Sequence, residues 1–122
     1  MITRIDRRRT FSGLRRDGRR VRHGSVRLNF LPLDTPKPQV AFAFGRSFGT
    51  AVERNRGRRR LRAALVQALD ARTGSGPTPV PGALLLTGSR RLLTAGFQTI
   101  VDDVGACLDQ LGDQVSERTV TA

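Results

Sequence analysis

The stretch QVAFAFGRSFGTAVERNRGRRRLRAALVQALDAR, residues 39–72, decides how this chain folds. Its first seven residues alternate. Val40, Phe42 and Phe44 face one way and Ala41, Ala43 and Gly45 the other, the period-two pattern of a strand over 39–45 with one bulky side. Gly45 and Gly49 then punctuate the chain. Thr50 and Glu53 stand at capping-box spacing, which starts a helix at Thr50. Leu61, Ala64, Leu65, Ala68 and Leu69 recur every three to four residues and carry that helix to about Arg72 on one apolar stripe.

The opening turns of this helix read RNRGRRRLR from Arg54 to Arg62, six arginines in nine residues. Asn55, Arg56, Arg59 and Arg60 fall mainly away from the stripe. Arg54, Arg58 and Arg62 form a separate i, i+4, i+8 row that starts near it and drifts off its edge. Like charges at i, i+4 destabilise a helix, and Glu53 is the only acid nearby. A solvated helix face is the ordinary explanation of a charge run, but this one lacks the acids that would relieve it. Arginine presents a planar fork of donors matched to phosphate, and helix N-termini favour anions. A polyanionic partner follows.

Upstream, GSVRLNFL at residues 24–31 alternates too, with Val26, Leu28 and Phe30 on one face and Arg27, Asn29 and Leu31 on the other. Three prolines in residues 32–38 make the connecting loop. A short helix is expected from Asp6, as cap, to Arg16, with Phe11 and Leu14 on one side and Gly18 ending it. Residues 1–5 read as a loose basic start. Downstream, residues 73–82 form a proline-stiffened linker, and GALLLTG at 82–88 reads as a strand buried on both faces. Phe97, Ile100, Val101, Val104, Leu108 and Leu111 mark a closing helix with Asp102, Asp103 and Asp109 outside. Residues 113–122 read as a flexible tail. The expected order is α-β-β-α-β-α: a single α+β domain, an α/β sandwich with helices packed on a small mixed sheet.

Composition narrows the function. The 122 residues carry a net charge of +12, distributed unevenly: residues 1–62 hold 18 Lys/Arg against 4 Asp/Glu, and residues 63–122 hold 4 against 6. Such a basic half is the footprint of nucleic-acid binding. Cys107 and His23 are single, so no internal disulfide, no Cys-based metal site and no His-pair motif can be built. Asp102 and Asp103 are adjacent on a helix and diverge by about 100°, so they do not gather around a metal. No catalytic and no metal-binding residues are expected. Gly45-Arg46-Ser47-Phe48-Gly49 lacks the Gly-Lys-Ser/Thr of a Walker loop. There is no apolar leader and no run of 18 apolar residues, which reads as a soluble protein of a reducing compartment. Phe11 has two readings, a core residue or a base-stacking platform at the sheet edge. Cys107 reads as a small core hydrophobe.

The stretch VAFAFGRSFGTAVERNRGRRRLRAAL, residues 40–65, resembles the signature of the protein component of bacterial ribonuclease P. The core of the match is Gly49-x-Ala51-Val52-x-Arg54-Asn55-Arg56, followed by Arg59 and Leu61-Arg62. The Arg-rich N-terminal segment with Phe11, the GALLLTG strand and the closing helix fit the same pattern along nearly the whole chain. The resemblance implies a cytoplasmic bacterial protein that assists a catalytic RNA, which itself performs Mg²⁺-dependent removal of 5′ leaders from precursor tRNA. It also implies a left-handed βαβ crossover, against the usual right-handed preference. Carried over by position, Asn55, Arg56, Arg59, Arg60 and Arg62 would face the catalytic RNA. Phe11, Arg27, Asn29, Leu31, Arg46, Thr50, Arg54 and Arg58 would line a cleft for the single-stranded leader. The chain departs from the family pattern at several positions: Gly45-Arg46-Ser47 replaces Ser-Lys-Lys, Arg15 and Asn29 stand where aromatics are usual, Thr50 replaces Asn, and Gly88 replaces Arg. A cleft with fewer aromatics would rely more on charge. The readings that compete with this one are a non-catalytic RNA-binding or ribosome-associated protein of similar fold, and a freestanding nuclease. The missing carboxylate cluster opposes the nuclease.

Overall fold

A computed structural model describes residues 3–5, 7–33, 39–73 and 82–121, with only the backbone described for Thr3, Arg72, Thr73 and 112–121. The elements are β1 (Thr3–Arg4), α1 (Arg8–Asp17), β2 (Arg19–His23), β3 (Val26–Pro32), β4 (Gln39–Phe42), α2 (Ala51–Thr73), β5 (Gly82–Gly88) and α3 (Phe97–Thr121). Short 3₁₀ turns at Arg46–Phe48 and Arg90–Leu93 precede α2 and α3. The sheet order is β1-β4-β5-β3-β2. β4 lies parallel to β1 and β5, while β5–β3 and β3–β2 are antiparallel, so the sheet is mixed as expected. The link from β4 through α2 to its parallel neighbour β5 is a βαβ crossover.

The inner face of the sheet carries the main core. Val26, Leu28 and Phe30 of β3, Val40 of β4, and Leu84 and Leu86 of β5 meet the α2 stripe, and α3 closes over them with Ile100, Val101, Val104, Cys107, Leu108 and Leu111. In register, Leu28 faces Leu86 and Phe30 faces Leu84, so two period-two strands place their bulky residues in one layer. All five residues of the expected α2 stripe are buried. A smaller core forms on the outer face, where α1 packs Leu14 and Phe11 with Ile5, Leu31, Ala41, Ala83 and Leu85. The outer face therefore is not left open along its whole length, because α1 covers its middle.

Two strands were not foreseen. β2 offers one buried residue, Val21, among exposed or half-exposed polar ones, so it has no alternation to read. β1 is two residues long, and the expected loose start is instead tied down: the Ile5 amide donates to the Val40 carbonyl at 3.0 Å and its side chain is buried. β4 stops at Phe42, short of the expected 45, and Phe44 turns to meet Phe48 edge-on with centroids 4.7 Å apart. α1 is capped by Arg7 through backbone alone, with Gly18 at its end; Asp6, the expected cap, lies outside the described residues. So do most of the proline-rich loop (34–38) and of the linker (74–81). The α3 backbone continues as helix to Thr121, through residues expected to fray.

Two glycines fit their surroundings for separable reasons. Gly57 sits mid-helix, where it costs roughly 1 kcal/mol against alanine. A Cβ there would lie 2.9 Å from the Phe48 ring, so its absence lets α2 rest on the aromatic pair. Gly24 has φ +57 in the β2–β3 turn, a left-handed conformation favouring glycine. A Cβ there would collide with the Asp103 carboxylate, which accepts from the Ser25 amide at 3.3 Å and hydroxyl at 3.4 Å.

Candidate nucleic-acid interface

The basic face is built from the start of α2 outward. Thr50 closes the expected capping box: the Glu53 amide donates to Thr50 Oγ1 at 3.1 Å, and the Thr50 amide donates to Glu53 Oε1 at 2.9 Å. Arg90, on the 3₁₀ turn before α3, donates to Glu53 Oε2 at 2.8 Å and also to the Phe48 carbonyl. The Arg90 guanidinium, followed by the Thr50 amide, holds the Glu53 carboxyl down at about 2. The lone acid of this region is thus fully engaged in fixing the helix start.

The arginines then divide by what they touch. Arg54 donates to the Gly49 carbonyl at 3.0 Å, and Arg58 donates to Asn55 Oδ1 at 2.7 Å. Arg60 was expected to face solvent with Arg59. Instead it is half-buried, and its guanidinium donates to the carbonyls of Leu92 (2.9 Å), Leu93 (3.1 Å) and Ala95. Arg60 closes the C-terminal end of the second 3₁₀ turn against α2, where carbonyls lack helical partners. Arg56, Arg59 and Arg62 are exposed and make no hydrogen bond among the described residues. Among the described residues of α2 these three are the free cations.

Beside them runs a groove of about 670 Å³ between α1, β4 and α2. Phe11 forms one side, Ala41 to Ala43 the floor, and Arg58, Arg59 and Arg62 the other side. Of the residues expected in a cleft, Phe11 and Arg58 meet here. Phe11 is half-buried, packing against the small outer core while it lines the groove. Arg27 is exposed on β3 opposite Arg22, away from the groove. Asn29 turns its amide to the Leu14 carbonyl at 2.9 Å and caps α1, with its Oδ1 buried and unpartnered. Leu31 lies under α1 near Gly13. Thr50 spends its hydroxyl on the cap, Arg54 holds Gly49, and Arg46 is exposed on the first 3₁₀ turn. The sequence reading missed Arg4, which lines the groove from β1. Its strand is too short to carry a periodic signal.

Elsewhere, Cys107 is fully buried, and desolvation, with Asp103 adding to it, pushes its thiol up to about 11. His23 stands 3.8 Å from Asp103 beside the β2–β3 turn. Among the described residues no three of His, Cys, Asp and Glu gather as metal ligands, and no helix is long and apolar enough to cross a membrane.

A family model described as Ribonuclease P matches residues 2–112. A ribonuclease P protein component from Acidothermus cellulolyticus is 48% identical over 61 residues, which are 48% of this chain and 51% of that protein. The chain thus spans about half the length of the curated relative it matches. An RNase P protein structure from Staphylococcus aureus aligns with a TM-score of 0.66 at 12% identity, over 87% of this chain and 92% of that one. The RNase P protein from Thermotoga maritima aligns with a TM-score of 0.66 at 17% identity, over 88% and 96%. At these identities the structural likeness is one of fold.

Proposed function

The chain belongs to the ribonuclease P protein family, and from that premise we propose that it is the protein subunit of a ribonucleoprotein that matures the 5′ ends of tRNA. The catalytic RNA is its partner and precursor tRNA the substrate. The protein supplies binding and positioning and no catalytic group. One observation carries this reading: α2 leaves Arg56, Arg59 and Arg62 exposed and without partners among the described residues, at and beside a groove that holds Phe11.

Asn55, Arg56, Arg59 and Arg62 form the face toward the catalytic RNA. Three phosphate contacts by the free arginines would contribute about −2 to −3 to the log–log salt slope of binding. Arg60 is left out of this face, because its guanidinium is occupied by three carbonyls. The groove takes the single-stranded leader. Phe11 offers a ring for a base, and Arg4 and Arg58 offer charge for the backbone. A leader varies in sequence, and a surface made of one ring, small residues and arginines tolerates that variation. Thr50, Arg54 and Arg46 do not line the groove; the first two act by fixing the start of α2. The Mg²⁺ ions of the reaction are held mainly by RNA phosphates. The cytoplasm of a bacterium is where such an enzyme works.

The test is precursor-tRNA cleavage at low Mg²⁺ with catalytic RNA alone, protein alone, and both. Activity restored only in the mixture supports the cofactor role. Cleavage by protein alone would overturn the division of labour. Tight RNA binding with no gain in cleavage would point to an RNA-binding protein that shares only the fold.

A further inference from the structure

The exposed face of α2 is not purely basic. Val52, 73% exposed, Arg59 and Val66, 40% exposed, follow one another at seven-residue intervals and so lie nearly in line along the helix. Phe97, the first residue of α3, is 38% exposed and adjoins the same face. Together with Arg59, Arg62, Ala63, Val66, Gln67 and the acidic Asp70 it lines a shallow depression of about 570 Å³, distinct from the groove at Phe11 but sharing Arg59 and Arg62 with it. The large apolar side chains exposed among the described residues are Val52, Val66 and Phe97. All three sit on or beside the arginine face, where contact with duplex phosphates alone would leave them without a counterpart.

We infer that the depression at Phe97 receives an unstacked nucleotide of the catalytic RNA, its base against Phe97 and Val66 and its phosphates on Arg59 and Arg62. The inference rests on the proposed RNA-facing role of α2 and adds the kind of RNA element that docks there. The argument is chemical complementarity. A base turned out of its stack has an apolar π face and a charged backbone within a few ångströms of each other, and an aromatic ring beside two arginines, which outnumber the one acid Asp70, matches both. A paired helix presents no base face at this depth. An uncharged apolar partner would make no use of the two arginines.

The chain has no tryptophan and no tyrosine, so Phe97→Trp creates a sole reporter that keeps the ring. The full chain carrying this change is titrated with a transcript of its own organism's ribonuclease P RNA. Quenching that saturates at one RNA per protein is expected. Phe97→Ala should weaken binding about tenfold, within the range of one base–aromatic stack, and leave the salt slope unchanged. Arg59→Ala should weaken binding and flatten the slope. An unquenched Phe97→Trp, or a Phe97→Ala that binds like the parent, overturns the inference, provided the parent binds with a steep slope. A parent that does not bind would instead overturn the proposed function. An emission change driven by protein concentration alone would assign the depression to a second copy of the chain and overturn the RNA assignment.

Discussion

Arg59 and Arg60 are neighbours of identical chemistry, and replacing each with alanine should separate two roles that the sequence merges. Arg60 makes three charge-assisted bonds to the carbonyls of Leu92, Leu93 and Ala95. At the lower end of the usual range each is worth about 1.5 kcal/mol. Freeing the long side chain returns about 1.5–2 kcal/mol of rotamer entropy. Relief of the i, i+4 repulsion with Arg56 returns a further ~0.5 kcal/mol. Arg60→Ala should therefore destabilise the fold by about 2 kcal/mol, roughly 8 °C in melting temperature for a domain of this size. Arg59→Ala removes the same charge from an exposed, unbonded position and should stay within about 0.5 kcal/mol of the parent. Urea unfolding followed by circular dichroism in chloride buffer measures both without phosphate or sulfate ions to occupy the arginines. In RNA titrations the order reverses, with Arg59→Ala flattening the salt slope and Arg60→Ala leaving it nearly intact. Equal stabilities for the two variants would refute the clamp, and equal losses of salt slope would return Arg60 to the RNA face.

Three further outcomes are expected. Glu53 has its carboxyl lowered to about 2, so its contribution is complete above the ordinary value of 4.5 and is lost as pH falls toward 2; Glu53→Gln should be less stable at pH 7 and show a shallower loss of stability between pH 4.5 and 2 in acid unfolding. Cys107, buried and with its thiol raised to about 11, should resist a thiol reagent at pH 8 until denaturant opens the core, so its labelling rate should follow unfolding. Phe11→Ala should weaken holoenzyme binding of precursor tRNA that carries a leader and leave mature tRNA unaffected; equal losses on both would remove Phe11 from the leader path.

Local patterns in this chain are strong where one face is buried over several residues. The α2 stripe, the inward residues of β3 and the α3 stripe from Ile100 to Leu111 were legible because each repeats a period that burial imposes. β5 was legible by its unbroken apolar run and the Thr50–Glu53 cap by its spacing, whereas Phe97, expected in the α3 stripe, is exposed. β2 has one inward residue and β1 has two residues in all, so neither carries a period. Two of the eight residues expected in the groove follow the same logic. Phe11 and Arg58 could be placed by their elements, but Asn29 and Leu31 were diverted when α1 folded over the outer face of the sheet. No sequence spacing announces that packing, because the partners lie on different elements.

By itself the sequence determined the sign of the charge and the helix that concentrates it: a net charge of +12 gathered in residues 1–62, and six arginines on the opening turns of a capped helix. Charge and helical period are properties of a chain read in order, and they survive any arrangement of the remaining elements. Only the tertiary structure decided which arginines stay free. Arg60 and Arg90 are basic residues like their neighbours until the 3₁₀ turn at 90–93 folds against α2, bringing unpaired carbonyls to Arg60 and Glu53 to Arg90. A buried carbonyl must find a donor from whatever packs beside it, and that neighbour is set by the fold of distant segments and not by the residue next in line.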